Sequence, residues 1–144
     1  MWLQRKIQLS PKPRGFHLVT QEVISQFPEI RLVRVGVAHF LLQHTSASLS
    51  INENADSSVR RDMENHFNEL APENAPYYEH IYEGPDDMPA HIKSGLLGSE
   101  LSIPIGEGKL LLGTWQGLCL GEHRTRASSR SLVVTIQGSK SHEI

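Results

Sequence analysis

The sequence has a single cysteine, Cys119, and no apolar run long enough to cross a membrane. A lone cysteine excludes an intrachain disulfide and a thiolate cage for zinc, so a metal would need histidine, carboxylate or water ligands. The chain also lacks a large excess of either charge, because 14 Lys and Arg nearly offset 16 Asp and Glu. This balance argues against a general nucleic-acid binder. With no signal-peptide run at the N-terminus, we expect a cytoplasmic protein without a membrane segment.

The length of 144 residues suits one domain, which we assign to residues 1–138, followed by a frayed C-terminal tail over residues 139–144. Alternation of apolar and polar residues predicts strands over residues 3–9, 33–42, 46–52, 101–105, 109–119 and 132–136. Spacings of three and four predict helices over residues 16–27, 57–70 and 89–97. Strands outnumber helices and several connections resemble hairpins, which favours an α+β fold with antiparallel sheets.

Histidine, a residue that can bind metals or transfer protons, is unusually frequent, since the chain has eight. His44 follows a predicted strand, His80 lies in the long polar connection over residues 71–87, and His91 is in the last predicted helix. Loops of that length are often functional. Neutral imidazoles that converge on a cavity would bind zinc or a similar divalent ion. The spacing is not diagnostic, because there is no His-x-x-x-His pair and no Cys-x-x-Cys, so ordinary hydrogen-bonding histidines are the simpler interpretation of the pattern alone.

Carboxylates form a second group of candidates. Glu83, Asp86 and Asp87 make an acidic run that either supplies a general base, holds Mg²⁺ or is simply solvated. Glu53 follows a predicted strand, where polar groups lie at the rim of a sheet and sites are common.

Cationic and nucleophilic side chains give weaker signals. A group suited to phosphate consists of Lys93, Arg124, Arg126 and Arg130, but no glycine-rich phosphate loop accompanies it, and a solvated hairpin loop explains it equally well. Ser46 and Ser48 lie near His44 without a nucleophile-elbow motif, which is poor support for a nucleophile and its base. Cys119 lies between two leucines and is predicted to be a packing residue.

Four segments carry a pattern that is more specific than any single residue: residues 43–49 (QHTSASL) running to 52–54 (NEN), 87–93 (DMPAHIK), 113–117 (GTWQG) and 121–124 (GEHR). In this order and spacing they resemble the YjbQ-like family over most of the chain. The resemblance implies an α+β fold with an antiparallel sheet sandwich, a homotrimer and a pocket for a divalent metal. It also implies a weak thiamine-phosphate synthase activity, which couples a pyrimidine pyrophosphate to a thiazole phosphate.

The resemblance further implies roles for individual residues. The metal ligands would be His44, His80 and His91, with zinc as the expected ion and Mg²⁺ as the alternative for a synthase reaction. The acid-base groups would be Glu53 and Glu122. The groups that contact a small anionic metabolite would be Lys93, Trp115, Gln116 and Arg130. His123 stands where relatives often carry an aromatic or aliphatic residue, so it is either a feature of a subgroup or an added ligand.

Three functions are consistent with these features. A synthase would use a metal and cationic groups to stabilise departing pyrophosphate, although three imidazoles suit zinc better than the hard-oxygen Mg²⁺ sites of pyrophosphate enzymes. A metal-dependent hydrolase would activate water near neutral pH, with Glu53 or Glu122 as its base. A non-catalytic protein would bind a metal or metabolite without turnover.

Overall fold

The computed structural model describes residues 1–140, which form two antiparallel sheets and three α-helices. The strands are β1 (Trp2–Leu9), β2 (Gly15–Leu18), β3 (Val33–Leu42), β4 (Ala47–Glu53), β5 (Glu100–Gly106), β6 (Lys109–Leu110), β7 (Gln116–Glu122) and β8 (Arg130–Lys140). The helices are α1 (Thr20–Gln26), α2 (Ser57–Leu70) and α3 (Asp87–Leu97), with a 3-10 helix over Pro28–Leu32. The predicted α+β class with antiparallel sheets is confirmed.

The larger sheet has the strand order β1-β8-β3-β5-β6, and the smaller has the order β2-β7-β4. The core lies between them, because buried side chains of both sheets, such as Phe40 and Leu120, belong to one cluster with residues of α1. The opposite face of the small sheet carries Ser48 and Cys119 and is covered by α2 and α3. This polar layer beneath two helices is the region that positions the sites described below.

A bulge in β3 changes which residues face the core. The pairing of β3 with β8 shifts between Val33 and Val35, so Val33 is buried whereas Val35 and Val37 are exposed. Gly36 makes the shift possible, since a Cβ there would lie 2.5 Å from the carbonyl oxygen of Gln137. Beyond the bulge, the even-numbered residues of β3 face the core.

Three local predictions differ from the structure. Residues 15–18 are strand β2 rather than the start of a helix, because they pair with β7. The strand predicted over residues 109–119 is broken into β6 and β7 by an exposed turn. Strand β8 continues through Ser139 and Lys140, which pair with β3, while residues 141–144 of the predicted tail lie outside the described residues. None of the helices in residues 1–140 is long and apolar enough to cross a membrane.

Candidate functional site

The connection between α2 and α3 brings four potential metal ligands together: His80, Glu83, Asp87 and His91. Asp87 begins α3 and His91 follows one turn later, so their side chains lie on the same side of the helix. Each residue offers one ligand atom, and these atoms all lie within 4.8 Å of one another. This group, the 80–91 cluster, is the candidate metal centre.

Asp87 lies at the middle of the 80–91 cluster. Its Oδ2 is 2.6 Å from Nε2 of His80 and 3.1 Å from Nε2 of His91. The two imidazole rings are in contact, with centroids 5.3 Å apart. Glu83 Oε2 lies 3.3 Å from the same nitrogen of His80. The side chain of Asp87 is 2% exposed and that of Glu83 is 63% exposed, so the cluster opens to solvent on the side of Glu83.

Both ring nitrogens of His91 face oxygen acceptors. Nδ1 of His91 is 2.8 Å from the carbonyl oxygen of Thr45, which can only accept, so Nδ1 carries a hydrogen. In a neutral ring Nε2 is then a lone pair that faces the carboxylate of Asp87. A metal ion between these two atoms would be bound by both of them. A backbone carbonyl bonded to the other ring nitrogen is the usual support of a histidine ligand.

Hydrogen bonds and neighbouring charges shift the pKa values of His80 and Asp87 in opposite directions. The hydrogen bond to Asp87 raises the pKa of His80 above its ordinary value. Burial acts to raise the pKa of Asp87, but the hydrogen bond from His80 and the charges of His91 and Arg124 outweigh it and lower that pKa. Asp87 is therefore an ionised, buried carboxylate, the form that ligates metals.

Arg124, which follows β7, forms hydrogen bonds with the segment before α3 and with the first residue of α3. Its guanidinium donates to Asp86 Oδ2 at 2.9 Å, to the carbonyl oxygen of Glu83 at 2.8 Å, and to Oδ1 of Asp87. The backbone N–H of Thr125 also donates to Asp86 Oδ2. Because Arg124 takes Oδ1 of Asp87, only Oδ2 faces the two histidines.

His44 lies outside the 80–91 cluster, although the next residue, Thr45, contacts His91 through its carbonyl oxygen. Nε2 of His44 accepts a hydrogen bond of 2.8 Å from the backbone N–H of Ser131. Burial, together with the charge of Arg130, lowers the pKa of His44. The structure thus brings together two of the three predicted histidine ligands, and the third uses a ring nitrogen to hold β8. A role for His44 as a ligand stays a prediction.

Glu122 and Arg130, predicted as an acid-base group and an anion contact, form a buried ion pair instead of facing a substrate. Both oxygens of Glu122 accept from the guanidinium of Arg130. Arg130 also donates to the hydroxyl and carbonyl oxygens of Ser46. Glu122 is fully buried and Arg130 is 7% exposed, so in this conformation neither is open to a ligand from solvent.

Lys93 and His123 are two further predicted residues whose side chains are buried. Nζ of Lys93 donates to Oδ1 of Asn68 at 2.7 Å, and burial lowers its pKa. Nε2 of His123 lies 2.8 Å from the hydroxyl of Ser48, whereas its Nδ1 has no partner among the described residues. Gly121 leaves the space for this pair, since a Cβ there would lie 2.3 Å from the Ser48 hydroxyl oxygen. Lys93 and His123 are fully buried.

The remaining predicted residues lie at the opposite end of β4 and β7. Glu53 ends β4 opposite Gln116, and its Oε2 is buried without a partner among the described residues. Gln116 accepts a hydrogen bond from the backbone N–H of Gly113 and is exposed. Trp115 is 65% exposed beside it. Cys119 is buried, which raises the pKa of its thiol to about 11 and agrees with the predicted packing role.

Glu83 and Asp87 were recognisable in the sequence only as an acidic run with several interpretations. The signal for a site is the spacing of Asp87 and His91, which are four residues apart. This spacing places them on one face of α3, but the helix was predicted to begin at residue 89. The helix begins at Asp87 because the Asp86–Arg124 contact fixes the preceding turn.

A small cavity of about 200 Å³ opens beside the 80–91 cluster. Its lining includes His80 together with the side chains of Tyr78, Ile81 and Met88. The lining is mixed, because Asn74 and His80 contribute polar groups beside the apolar side chains. There is therefore room for a small ligand next to His80.

Comparison with known proteins agrees with this fold. Over 138 residues the chain is 55% identical to the UPF0047 protein YjbQ of Salmonella typhimurium, covering 96% of this chain and 99% of that protein. A crystal structure of a YjbQ/UPF0047 protein from Clostridium acetobutylicum matches with a TM-score of 0.79 and 33% identity, covering 92% and 99% of the two chains. One from Sulfolobus solfataricus shares the fold, with a TM-score of 0.81 and 23% identity. The sequence model of the family described as "UPF0047 protein YjbQ-like" matches residues 5–139, and the chain belongs to this family.

Proposed function

We propose that this protein is a metal-dependent enzyme that binds one divalent transition-metal ion at the 80–91 cluster and hydrolyses a small anionic substrate. The observation that carries the proposal is the convergence of four ligand atoms within 4.8 Å, two from imidazoles and two from carboxylates. A mixed nitrogen and oxygen set suits zinc, manganese, iron or cobalt better than Mg²⁺ or Ca²⁺.

The burial of the four side chains suggests how their roles are divided. Buried Asp87 and the two histidines it contacts, His80 and His91, form a set of two imidazoles and one carboxylate, as in many catalytic sites. Glu83 is the exposed member and borders the open side. We assign the three inner residues as ligands and Glu83 as the general base.

Residues around the cluster would orient the ligands. Thr45 holds His91 through Nδ1, and Arg124 holds Asp87 through Oδ1, so the atoms directed at the ion are Nε2 and Oδ2. A bound transition metal would supply a Lewis acid that activates water near neutral pH and polarises the carbonyl or phosphoryl oxygen of the substrate. The carboxylate of Glu83 would accept the proton released by water.

Metal content measured on single variants tests the proposal. Chelator-treated protein is reconstituted with Zn²⁺ or Co²⁺, and bound metal is measured by elemental analysis and by the visible absorption of Co²⁺. We expect one ion per chain in the wild type and loss of about tenfold or more in affinity for His80→Ala, His91→Ala and Asp87→Asn. His66→Ala, which changes an exposed histidine on α2, serves as the control and should bind normally.

His44→Ala separates the two ligand sets. The set assembled in the structure predicts near-normal metal affinity for this variant, whereas the three-histidine set predicts a loss as large as that of His91→Ala. If His80→Ala and His91→Ala each retain wild-type affinity, the 80–91 cluster is not a metal centre.

Activity distinguishes the reaction classes. Phosphate-ester or amide hydrolysis that disappears with chelator and falls strongly in Glu83→Gln, with metal content unchanged, would support the hydrolase. Thiamine-phosphate synthase activity, implied by the resemblance, is assayed with a pyrimidine pyrophosphate and a thiazole phosphate. Metal or metabolite binding without turnover in either assay would favour a non-catalytic binding protein.

We also propose that the chain forms a homotrimer, as the family resemblance implies. The outer face of the larger sheet supports this proposal, because Trp2, Val35, Val37 and Leu41 are exposed there. Apolar sheet faces and open strand edges are commonly covered at subunit contacts. Light scattering should report three chains, and Val37→Lys should shift the mass toward the monomer. A monomer in the wild type at tens of micromolar would contradict the assembly.

A further inference from the structure

Helix α2 covers part of the polar layer on the small sheet without a buried residue of its own. None of its 14 residues is buried, whereas α3, which covers another part of the same layer, has five buried residues. The ring of Phe67 contacts that of Phe16 on β2, with centroids 6.0 Å apart, and Met63 contacts Asn52 on β4. Helix α2 therefore spans the small sheet from β2 to β4, across β7, and none of its side chains anchors it firmly there.

Arg14, which precedes β2, forms the main polar link between α2 and the rest of the protein. Its Nη2 donates to Asn68 Oδ1 at 2.8 Å, and its Nε donates to Glu64 Oε1 at 3.3 Å. A third bond of 2.6 Å reaches Glu73, just after the helix. The side chain of Arg14 is 21% exposed, so water competes for these bonds. Such a link can hold α2 in place and still be broken and re-formed.

Several polar atoms between α2 and the small sheet lack partners while the helix is in place. Nη1 of Arg60 and Oε2 of Glu64 on α2, Oγ of Ser50 on β4 and Nδ1 of His123 are buried without a hydrogen-bond partner among the described residues. A buried polar atom without a partner is less favourable than the same atom in water. Hydration of these atoms would therefore offset part of the apolar contact that is lost when α2 moves away.

We propose that α2 is a lid that opens from the polar layer while both sheets stay folded, and that Arg14 is its latch. Opening exposes the thiol of Cys119 and separates Nζ of Lys93 from Asn68, the acceptor of its hydrogen bond. Lys93 and His123 are fully buried in the closed form, so the lid controls the access of water and solutes to both. Openings of this kind have free energies below that of global unfolding.

Cys119 makes the opening measurable, because it is the single cysteine of the chain and lies beneath α2. It is fully buried on β7, opposite Ser50. Burial raises the pKa of its thiol, while the charge of Arg60 on α2 acts in the opposite direction, as expected of a thiol under that helix. A thiol reagent can reach Cys119 only after α2 has moved or the protein has unfolded.

Labelling of Cys119 in the full chain tests the proposal. The labelling rate in native buffer, divided by the rate for the same reagent on the urea-unfolded chain, gives an equilibrium constant for exposure. Urea denaturation followed by circular dichroism gives the constant for global unfolding. We expect the exposure constant to exceed the global constant by about tenfold or more and to depend less on urea. Chelator is present throughout, so the result does not depend on whether the 80–91 cluster holds a metal.

Amide hydrogen exchange followed by mass spectrometry gives a second measurement. An isolated helix of 14 residues is marginally stable in water, so the amides of α2 should exchange through the same opening. The amides of β7 are bonded to β2 and β4 on its two sides and should stay protected until global unfolding. This difference separates the opening of α2 from unfolding of the small sheet.

Variants of the latch test its assigned role. Arg14→Gln should raise the exposure constant of Cys119 about tenfold or more, and Arg14→Lys should raise it less. Arg34→Gln, at an exposed position on β3, is the matched control and should leave the constant unchanged. Glu73→Gln weakens one of the three links of Arg14 and provides a second variant if Arg14→Gln does not fold.

Three results would overturn the proposal of a lid: labelling of Cys119 at the rate set by global unfolding, exchange of the α2 amides at that same rate, or loss of protection in β7 together with exposure of Cys119. Unchanged labelling in Arg14→Gln, or an equal increase in Arg34→Gln, would refute the assignment of Arg14 as the latch.

Discussion

Acid should destabilise this protein through His123, whose neutral ring is buried beside three cations. Burial, reinforced by the charges of Lys93, Arg130 and Arg14, lowers the pKa of His123 from 6.5 to about 3. In the charged ring both nitrogens carry a hydrogen; Ser48 can accept from Nε2, but Nδ1–H has no acceptor among the described residues. The folded state therefore resists protonation that the unfolded chain accepts freely.

The sign and size of the effect follow from this difference in pKa. Between pH 6.5 and pH 3 the unfolded state binds one proton that the folded state does not, so the free energy of unfolding falls as the pH falls. One pKa unit corresponds to about 1.4 kcal/mol, and the loss between pH 7.5 and pH 5 comes to about 2 kcal/mol. That is a substantial part of the roughly 5–15 kcal/mol that stabilises a domain.

Urea denaturation at several pH values, for wild type and His123→Gln, measures this contribution. Glutamine can keep the bond to Ser48 without titrating, so the variant should lose about 2 kcal/mol less than the wild type between pH 7.5 and pH 5. Comparison of the two proteins cancels other groups, including His44, whose lowered pKa acts in the same direction, and His80, whose raised pKa acts in the opposite direction. Identical pH dependence in both proteins would refute the reasoning.

Three further changes have outcomes that the structure predicts. Glu122→Gln should lower the free energy of unfolding by about 3–5 kcal/mol in urea titrations, because it leaves the buried charge of Arg130 without a counter-charge. A loss below about 1 kcal/mol would contradict this account. Asp56→Ala should cost about 1 kcal/mol by the same measurement, since Asp56 accepts from the backbone N–H of Ser58 at the start of α2, and Asp56→Asn should restore most of it. Trp115→Phe should change the free energy of unfolding by less than about 0.5 kcal/mol, because the ring is largely exposed. A lower affinity for the small anionic metabolite in this variant would therefore indicate that Trp115 contacts it. Unchanged affinity would contradict the predicted role of Trp115 in metabolite binding.

Periodic segments of the sequence were sufficient to predict most of the elements. Strand β3 and helix α2 lie where alternation and the 3.6-residue spacing place them, and Asp56 caps α2 as its side chain permits. The family resemblance and the α+β class followed from segments spread over the whole chain. Such features depend on residues close in sequence, whose preferences are expressed before any distant contact forms.

Contacts between distant residues determined the rest. The bulge in β3, which reverses the buried face that alternation predicts, depends on the close approach of Gly36 and Gln137. Arg124 fixes the turn before α3 by binding residues about forty positions earlier, and so places Asp87 beside His80 and His91.

The same limit applies to the predicted site residues. His44 and Arg130 have the chemistry of ligands and anion contacts. In the structure Nε2 of His44 accepts from Ser131 and the guanidinium of Arg130 binds Glu122, which the sequence did not indicate, and their roles at a site stay predictions. A sequence shows which groups are able to bind. Tertiary packing decides whether each of these polar atoms meets another residue. Nη1 of Arg60, for example, meets none among residues 1–140.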